Sequence, residues 1–356
     1  MTTLTSAPPH RAARSRLDLA APMAAAWLAV WGVLALVATL TGAGYPFGAD
    51  DPDGGGANLL RLVPVEVGAP LFGGLLLAGA VTALALSAPV RGPLRVLLLG
   101  YGWALTFVLA VVVPDARVLV VLGYAPILIL GAPFGWPPVD YAEIFTWPLF
   151  ARFAALVGGV LLAGALLAGR RRAGGACLAC GRDGRARGWT TPASAARWGR
   201  WATWTATAIP LTYAATRFAW AAGIPLGITP AFLHEMQDSG LVWAGAGLGA
   251  FATVGAVLTV GLIRPWGERF PRWLVGLAGR RVPIPLAVVP AGLVALAVTA
   301  ASLGLLSSPR FWALEEGLSM AGAPMLLWPL WGVALGAAAL AYQLRRRGAC
   351  RRCGRE

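Results

Sequence analysis

Lysine is absent from this chain, and charge of any kind is scarce. Of 356 residues only 12% are charged against 58% hydrophobic, and all 29 basic residues are arginine. The missing lysine fits a GC-rich coding bias rather than a mechanism. The missing charge excludes an ordinary soluble domain, in which about a quarter of residues are charged. Alternating segments of about 10 residues are also missing, which excludes a transmembrane β-barrel. No HExxH, phosphate loop or nucleophile motif occurs. Histidine occurs twice, and His234-Glu235 is the only pair with catalytic residue types. It reads as a solvated outer loop, so the chain is not expected to be an enzyme.

The net charge of +14 invites a nucleic-acid reading, but no recognised nucleic-acid-binding motif accompanies it. Arginines at the ends of apolar runs are what the positive-inside rule demands. The expected partner of the basic face is the anionic headgroup layer of a bilayer.

What the chain has in quantity is apolar runs of about 20 residues, the length of a helix that crosses a membrane. Its mean hydropathy is +0.70. The expected fold is an all-α polytopic membrane protein with eight transmembrane helices. Residues 1–20, with Arg11, Arg14 and Arg16, read as a cytoplasmic tail. Pro22 to Ala43 is the first span, too long for a secretory signal. An outer loop with Asp50, Asp51 and Asp53 follows. The next spans are Val67 to Ser87, Leu94 to Val113 and Phe145 to Ala168. In the second half they are Trp201 to Ile224, Leu241 to Ile263, Leu286 to Leu306 and Pro324 to Leu344. Val118 to Phe134, interrupted by Gly123, Pro126, Gly131 and Pro133, reads as re-entrant or packed at the outer surface. A ninth crossing there would put the two basic stops on opposite sides.

Two halves are expected, 21–188 and 189–356, as parallel four-helix repeats. Gly44-Tyr45-Pro46-Phe47-Gly48 and Gly223-Ile224-Pro225-Leu226-Gly227 close the first span of each half. Trp147-Pro148-Leu149 and Trp328-Pro329-Leu330 open the last. Repeats of this kind recur in membrane transport folds. Arginines crowd the side on which both halves end, which makes that side cytoplasmic.

Each half ends in an arginine stop and a Cys-x-x-Cys-Gly knuckle. Arg170-Arg171-Arg172 precedes Cys177 and Cys180, and Arg345-Arg346-Arg347 precedes Cys350 and Cys353. These are all the cysteines in the chain. Each knuckle offers two thiolates, a structural zinc ion needs four ligands, and neighbouring arginines favour the thiolate form. A zinc ion shared by Cys177, Cys180, Cys350 and Cys353 is the expectation, with redox-active or inert thiols as the alternatives. A disulfide does not suit a reducing compartment.

Arg152 and Arg217 fall inside predicted spans near the outer end. Buried charges of this kind tend to face a bundle interior, although long side chains can instead snorkel to the headgroups. Glu66 and Glu143, at outer helix ends, are the expected partners. Thr203, Thr205, Thr207, Thr212 and Thr216 surround Pro210 in the fifth span, where hydroxyls can satisfy carbonyls that proline frees. Between Arg264 and Val282, Trp266, Phe270, Trp273, Leu274 and Leu277 recur at helical spacing, with Arg269, Arg272 and Arg280 elsewhere. That predicts a short helix lying in the headgroup plane, its arginines facing lipid.

The stretch from Arg197-Trp198-Gly199-Arg200 through Gly223 to Gly227 and on to Gly276-Leu277-Ala278-Gly279-Arg280-Arg281-Val282-Pro283 resembles multi-pass membrane proteins of actinobacteria. The resemblance implies a bacterial cytoplasmic membrane and brings no site residue with it. The functional expectation is translocation of a small anion. The alternative is a non-transporting scaffold that docks a cytoplasmic protein through the basic linker and the zinc knuckles.

Overall fold

The computed structural model describes residues 16–42, 58–61, 63–135, 139–184, 188–312 and 322–355. Arg11, Arg14, the Gly44 to Gly48 landmark, the Asp50 to Asp53 loop and acids beyond 312 lie outside them. The described residues are helical without a named strand, in the order α1 (Ala20–Thr41), α2 (Val65–Ala85), α3 (Gly92–Phe107), α4 (Ala116–Gly131), α5 (Tyr141–Ile144) and α6 (Trp147–Ala173). The second half contributes α7 (Pro192–Ala221), α8 (Pro230–Asp238), α9 (Leu241–Val260), α10 (Ile284–Leu306), α11 (Pro309–Trp312) and α12 (Trp328–Arg346). A π turn over Val108–Val112 extends α3. Among the described residues seven helices are long and apolar enough to cross a membrane, and the chain is an all-α multi-pass membrane protein.

Sequence landmarks explain where these helices begin and stop. Pro148 and Pro329 sit in the first turns of α6 and α12, where a missing N–H costs nothing. The Trp-Pro-Leu openings are therefore helix starts. The arginine stops occupy the last turns of the same helices, where cations complement the negative end of the helix dipole. Within lipid, apolar side chains gain little by touching one another, so close backbone approach through small residues holds the bundle. Gly199 of α7 lies against α12, where an added Cβ would stand 2.5 Å from that of Ala341. Gly199→Leu is expected to cost about 1–3 kcal/mol, read as a lower unfolding midpoint in mixed micelles. Gly100, which faces open space, should tolerate the same change. An unmoved midpoint for Gly199→Leu would mean that α7 and α12 do not cross here.

Neighbours recur in the two halves. α1 packs on α2 and α6, and α3 on α6; α7 packs on α9 and α12, and α10 on α12. Two features have no counterpart among the described residues. α4 crosses over to pack on α10 of the second half, around Val118, Leu156 and Ala297. The other is α8, whose Leu233 is buried with Trp220, Ile228 and Val242. It occupies what the sequence reading treated as a loop, and it leaves His234 and Glu235 exposed.

Contacts at one end of the bundle bear on how often the chain crosses. The two knuckles touch, with Cys177 Sγ 3.9 Å from Cys350 Sγ. A chain that leaves one face and returns to it crosses an even number of times. Between the knuckles lie the candidate spans α9, α10 and α12, and α7 would be the fourth crossing that returns the chain to the same face. Its 30 residues reach about 45 Å, although its threonines and arginines make it the least apolar of the eight. The same reasoning covers the first half. Arg352 pairs with Asp18 at 3.2 Å, which puts the start of α1 beside the knuckles. The chain then crosses by α1, α2, α3 and α6, and a full crossing by α4 would make the number odd. α4 instead bends by 47° between Ala116–Ala125 and Leu128–Phe134.

One expected helix is not there. Residues 264–282 contain only the 3₁₀ turn Pro265–Gly267. The remainder is a loop pinned by an antiparallel bridge between Arg269 and Arg281, with Phe270 N–H donating to Arg280 O at 3.0 Å. Pro265 and Pro271 interrupt helical hydrogen bonding, and Gly276 and Gly279 sit at φ +83° and +72°, where glycine carries no steric cost. The aromatic spacing matched a helix by coincidence.

Candidate metal centre

The four cysteines meet at the bundle end where both halves finish. Each knuckle is a tight turn: Gly181 N–H donates to Cys177 O at 2.7 Å and Cys177 N–H to Arg182 O at 3.0 Å. The second knuckle repeats both bonds, from Gly354 to Cys350 at 2.8 Å and from Cys350 to Arg355 at 3.0 Å. Gly181 and Gly354 stand at φ +74° and +70°, a conformation that explains the glycine after each Cys-x-x-Cys. The first knuckle also leans on its own stop, since Arg171 donates to Leu178 O at 2.7 Å.

Arginines lock the knuckles to one another. Arg182 Nη1 donates to Arg355 O at 2.8 Å and to Gly348 O at 3.0 Å, and Arg355 Nη1 donates back to Arg182 O at 2.9 Å. The reciprocity is that of a local twofold. It brings Cys180 Sγ to 3.6 Å from Cys353 Sγ, and all four sulfurs lie within 4.8 Å of one another. A tetrahedral ion about 2.3 Å from each sulfur would set them about 3.8 Å apart. These separations are far beyond the roughly 2.05 Å of a disulfide, and the cysteines are free thiols. The set could hold a metal ion.

The thiols are electrostatically uneven. The Cys180 N–H leads in holding Cys177 down to about 6, and the N–H groups of Arg352 and Cys353 lower Cys350. Cys353 is drawn down by the Arg355 N–H, but burial and the three neighbouring sulfurs outweigh it and push it up to about 11. Four sulfurs this close cannot all carry negative charge unless a cation sits among them.

The intramembrane arginines have separate environments. Arg152, fully buried, donates from Nε to Asp115 Oδ2 at 2.7 Å and from Nη1 to Pro148 O at 2.8 Å. Asp115 also caps α4 by accepting from Arg117 N–H and pairs with the Arg117 guanidinium at 2.7 Å. The partner of Arg152 is thus Asp115, and the expected Glu66 and Glu143 are exposed in the first turns of α2 and α5. Asp115 carried one usable signal, an acid directly before an apolar run. Arg217 lies over the rings of Tyr213 and Trp220, 4.5 and 4.2 Å from their centroids, and its buried Nε has no hydrogen-bond acceptor among the described residues. The α7 threonines mostly serve the helix itself, as when Thr203 donates to Gly199 O and Thr207 to Thr203 O, both at 2.8 Å. Arg269, Arg272 and Arg280 are exposed on the 264–282 loop.

Fold and site together define a multi-pass helical membrane protein with a four-cysteine cluster able to bind metal. No protein-family model, curated protein or solved structure matches the chain.

Proposed function

We propose that this chain is a zinc-stapled membrane scaffold, built from two copies of a four-helix unit and docking an acidic cytoplasmic protein on its knuckle face. The observation that carries the reading is the convergence of four sulfurs from two knuckles 173 residues apart. A closed four-thiolate set favours zinc over harder cations and leaves no coordination position for catalysis. The ion would make two halves behave as one body. Arg170, Arg172, Arg351 and Arg355, exposed and next to the knuckles in sequence, supply the cationic face. Purified protein should carry one zinc per chain by elemental analysis, and two or none would remove the shared centre. Thiol reagents confined to the periplasmic side should fail to label the metal-free protein; labelling from that side would invert the orientation.

Translocation of a small anion is the second reading, and it rests chiefly on Arg217, because Arg152 is fully buried and already paired with Asp115. Vesicles holding the protein should release iodide no faster than empty ones. A flux abolished by Arg217→Ala would restore translocation over the scaffold.

A further inference from the structure

The second half contains a large apolar cavity that the staple does not explain. It measures about 850 Å³ and is walled by α9, α10, α12 and the 264–282 loop, near the upper end of small-molecule sites at roughly 300–1,000 Å³. Its origin is visible in the packing. α2 and α3, joined by a short turn, rest on one another, whereas α9 leans on α7 and α10 on α12, and the two scarcely touch. The long 264–282 connection lets them diverge. Leu258 of α9 and Leu286 of α10 flank the gap and are more than half exposed. In a bilayer those exposed edges face hydrocarbon, so the gap opens sideways into lipid.

Beyond the indole N–H groups of Trp266, Trp273 and Trp331, the lining offers little to a polar ligand. Thr259, its one hydroxyl, is already donated to Gly255 O at 2.8 Å. Charge gathers instead at one end, where the loop carries Arg264, Arg269, Arg272, Arg280 and Arg281, all exposed. Its single acid, Glu268, is paired with Arg345 at 2.9 Å. Trp273 and Val275 project from the same loop with 78% and 97% of their surface exposed, as an interfacial anchor would. The loop is held in place. Tyr342 donates to Gly267 O at 2.6 Å and Arg346 to Val282 O at 2.9 Å.

An apolar slot open to lipid, closed at one end by cations at headgroup depth, fits an amphiphile with a long tail and a negative head. We propose that the gap between α9 and α10 binds one anionic bilayer phospholipid, its acyl chain in the cavity and its phosphate on the loop arginines. Gly255 lines the cavity and an added Cβ there meets nothing within 4 Å, so Gly255→Phe should fill the slot while the helices stay packed. Zinc-loaded protein would be reconstituted in nanodiscs of equal phosphatidylglycerol and phosphatidylcholine, then extracted in mild detergent and weighed intact by native mass spectrometry. Wild type should retain one phosphatidylglycerol per chain. Gly255→Phe should lower retention about tenfold or more, equivalent to about 1.4 kcal/mol or more. Arg269→Gln, Arg272→Gln and Arg280→Gln combined should leave the slot occupied but erase the preference for the anionic lipid. Equal retention of both lipids by wild type, or unchanged retention by Gly255→Phe, would overturn the proposal.

Discussion

Removal of one whole knuckle, by Cys177→Ser with Cys180→Ser, is expected to abolish zinc binding altogether rather than halve it. The two remaining sulfurs cannot complete a tetrahedron, and the reciprocal Arg182–Arg355 bonds do not replace an ion. Cys177→Ser with Cys350→Ser, which takes one ligand from each knuckle, should give the same result. In small zinc-dependent domains the metal contributes about 10–16 kcal/mol of folding free energy. Here α4 and α10 also join the halves, so the expected outcome is a folded chain with a lower unfolding midpoint and less than about a tenth of its zinc. Elemental analysis and unfolding in mixed micelles read the two effects. Half the metal left after loss of the first knuckle would mean two independent centres.

The second large effect belongs to Asp115. Asp115→Ala takes from the fully buried Arg152 guanidinium the carboxylate it pairs with at 2.7 Å, and breaking a buried pair in this way costs about 3–5 kcal/mol. Arg152→Met should cost less, because Asp115 keeps the Arg117 guanidinium and the α4 N–H it caps. Pairing Asp115→Leu with Arg152→Met should recover part of the loss, since the fully buried charge is then gone while Arg117 and the start of α4 still lose Asp115. Stability of all three variants in mixed micelles forms the test. Equal losses for the two single changes would show that Asp115 does not depend on Arg117.

What could be read from residues alone was whatever is written locally. Trp147-Pro148 and Trp328-Pro329 mark helix starts because proline's missing N–H is harmless only there. The knuckles carry their glycines in the one backbone conformation that demands them. The meeting of the knuckles was legible indirectly, as a consequence of an even number of spans between them. The partner of Arg152 was not, because Asp115 lies 37 residues away, and no local pattern says which acid a buried arginine will reach. The 264–282 loop misled in the opposite way: its aromatics repeat at helical spacing while Pro265, Pro271, Gly276 and Gly279 dictate the backbone. The cavity is invisible in sequence because it arises from the divergence of two helices, which hydropathy does not record.

The arrangement of the sulfurs also orders events during synthesis. Cys177 and Cys180 emerge from the ribosome before the second half exists, and their partners follow the last span. On the proposed shared centre, the nascent first knuckle would wait without its other two ligands until α12 has been threaded into the bilayer. Metal capture would then mark completed insertion, and a chain stalled midway would present an unpartnered pair of thiols to the quality-control machinery of the cell.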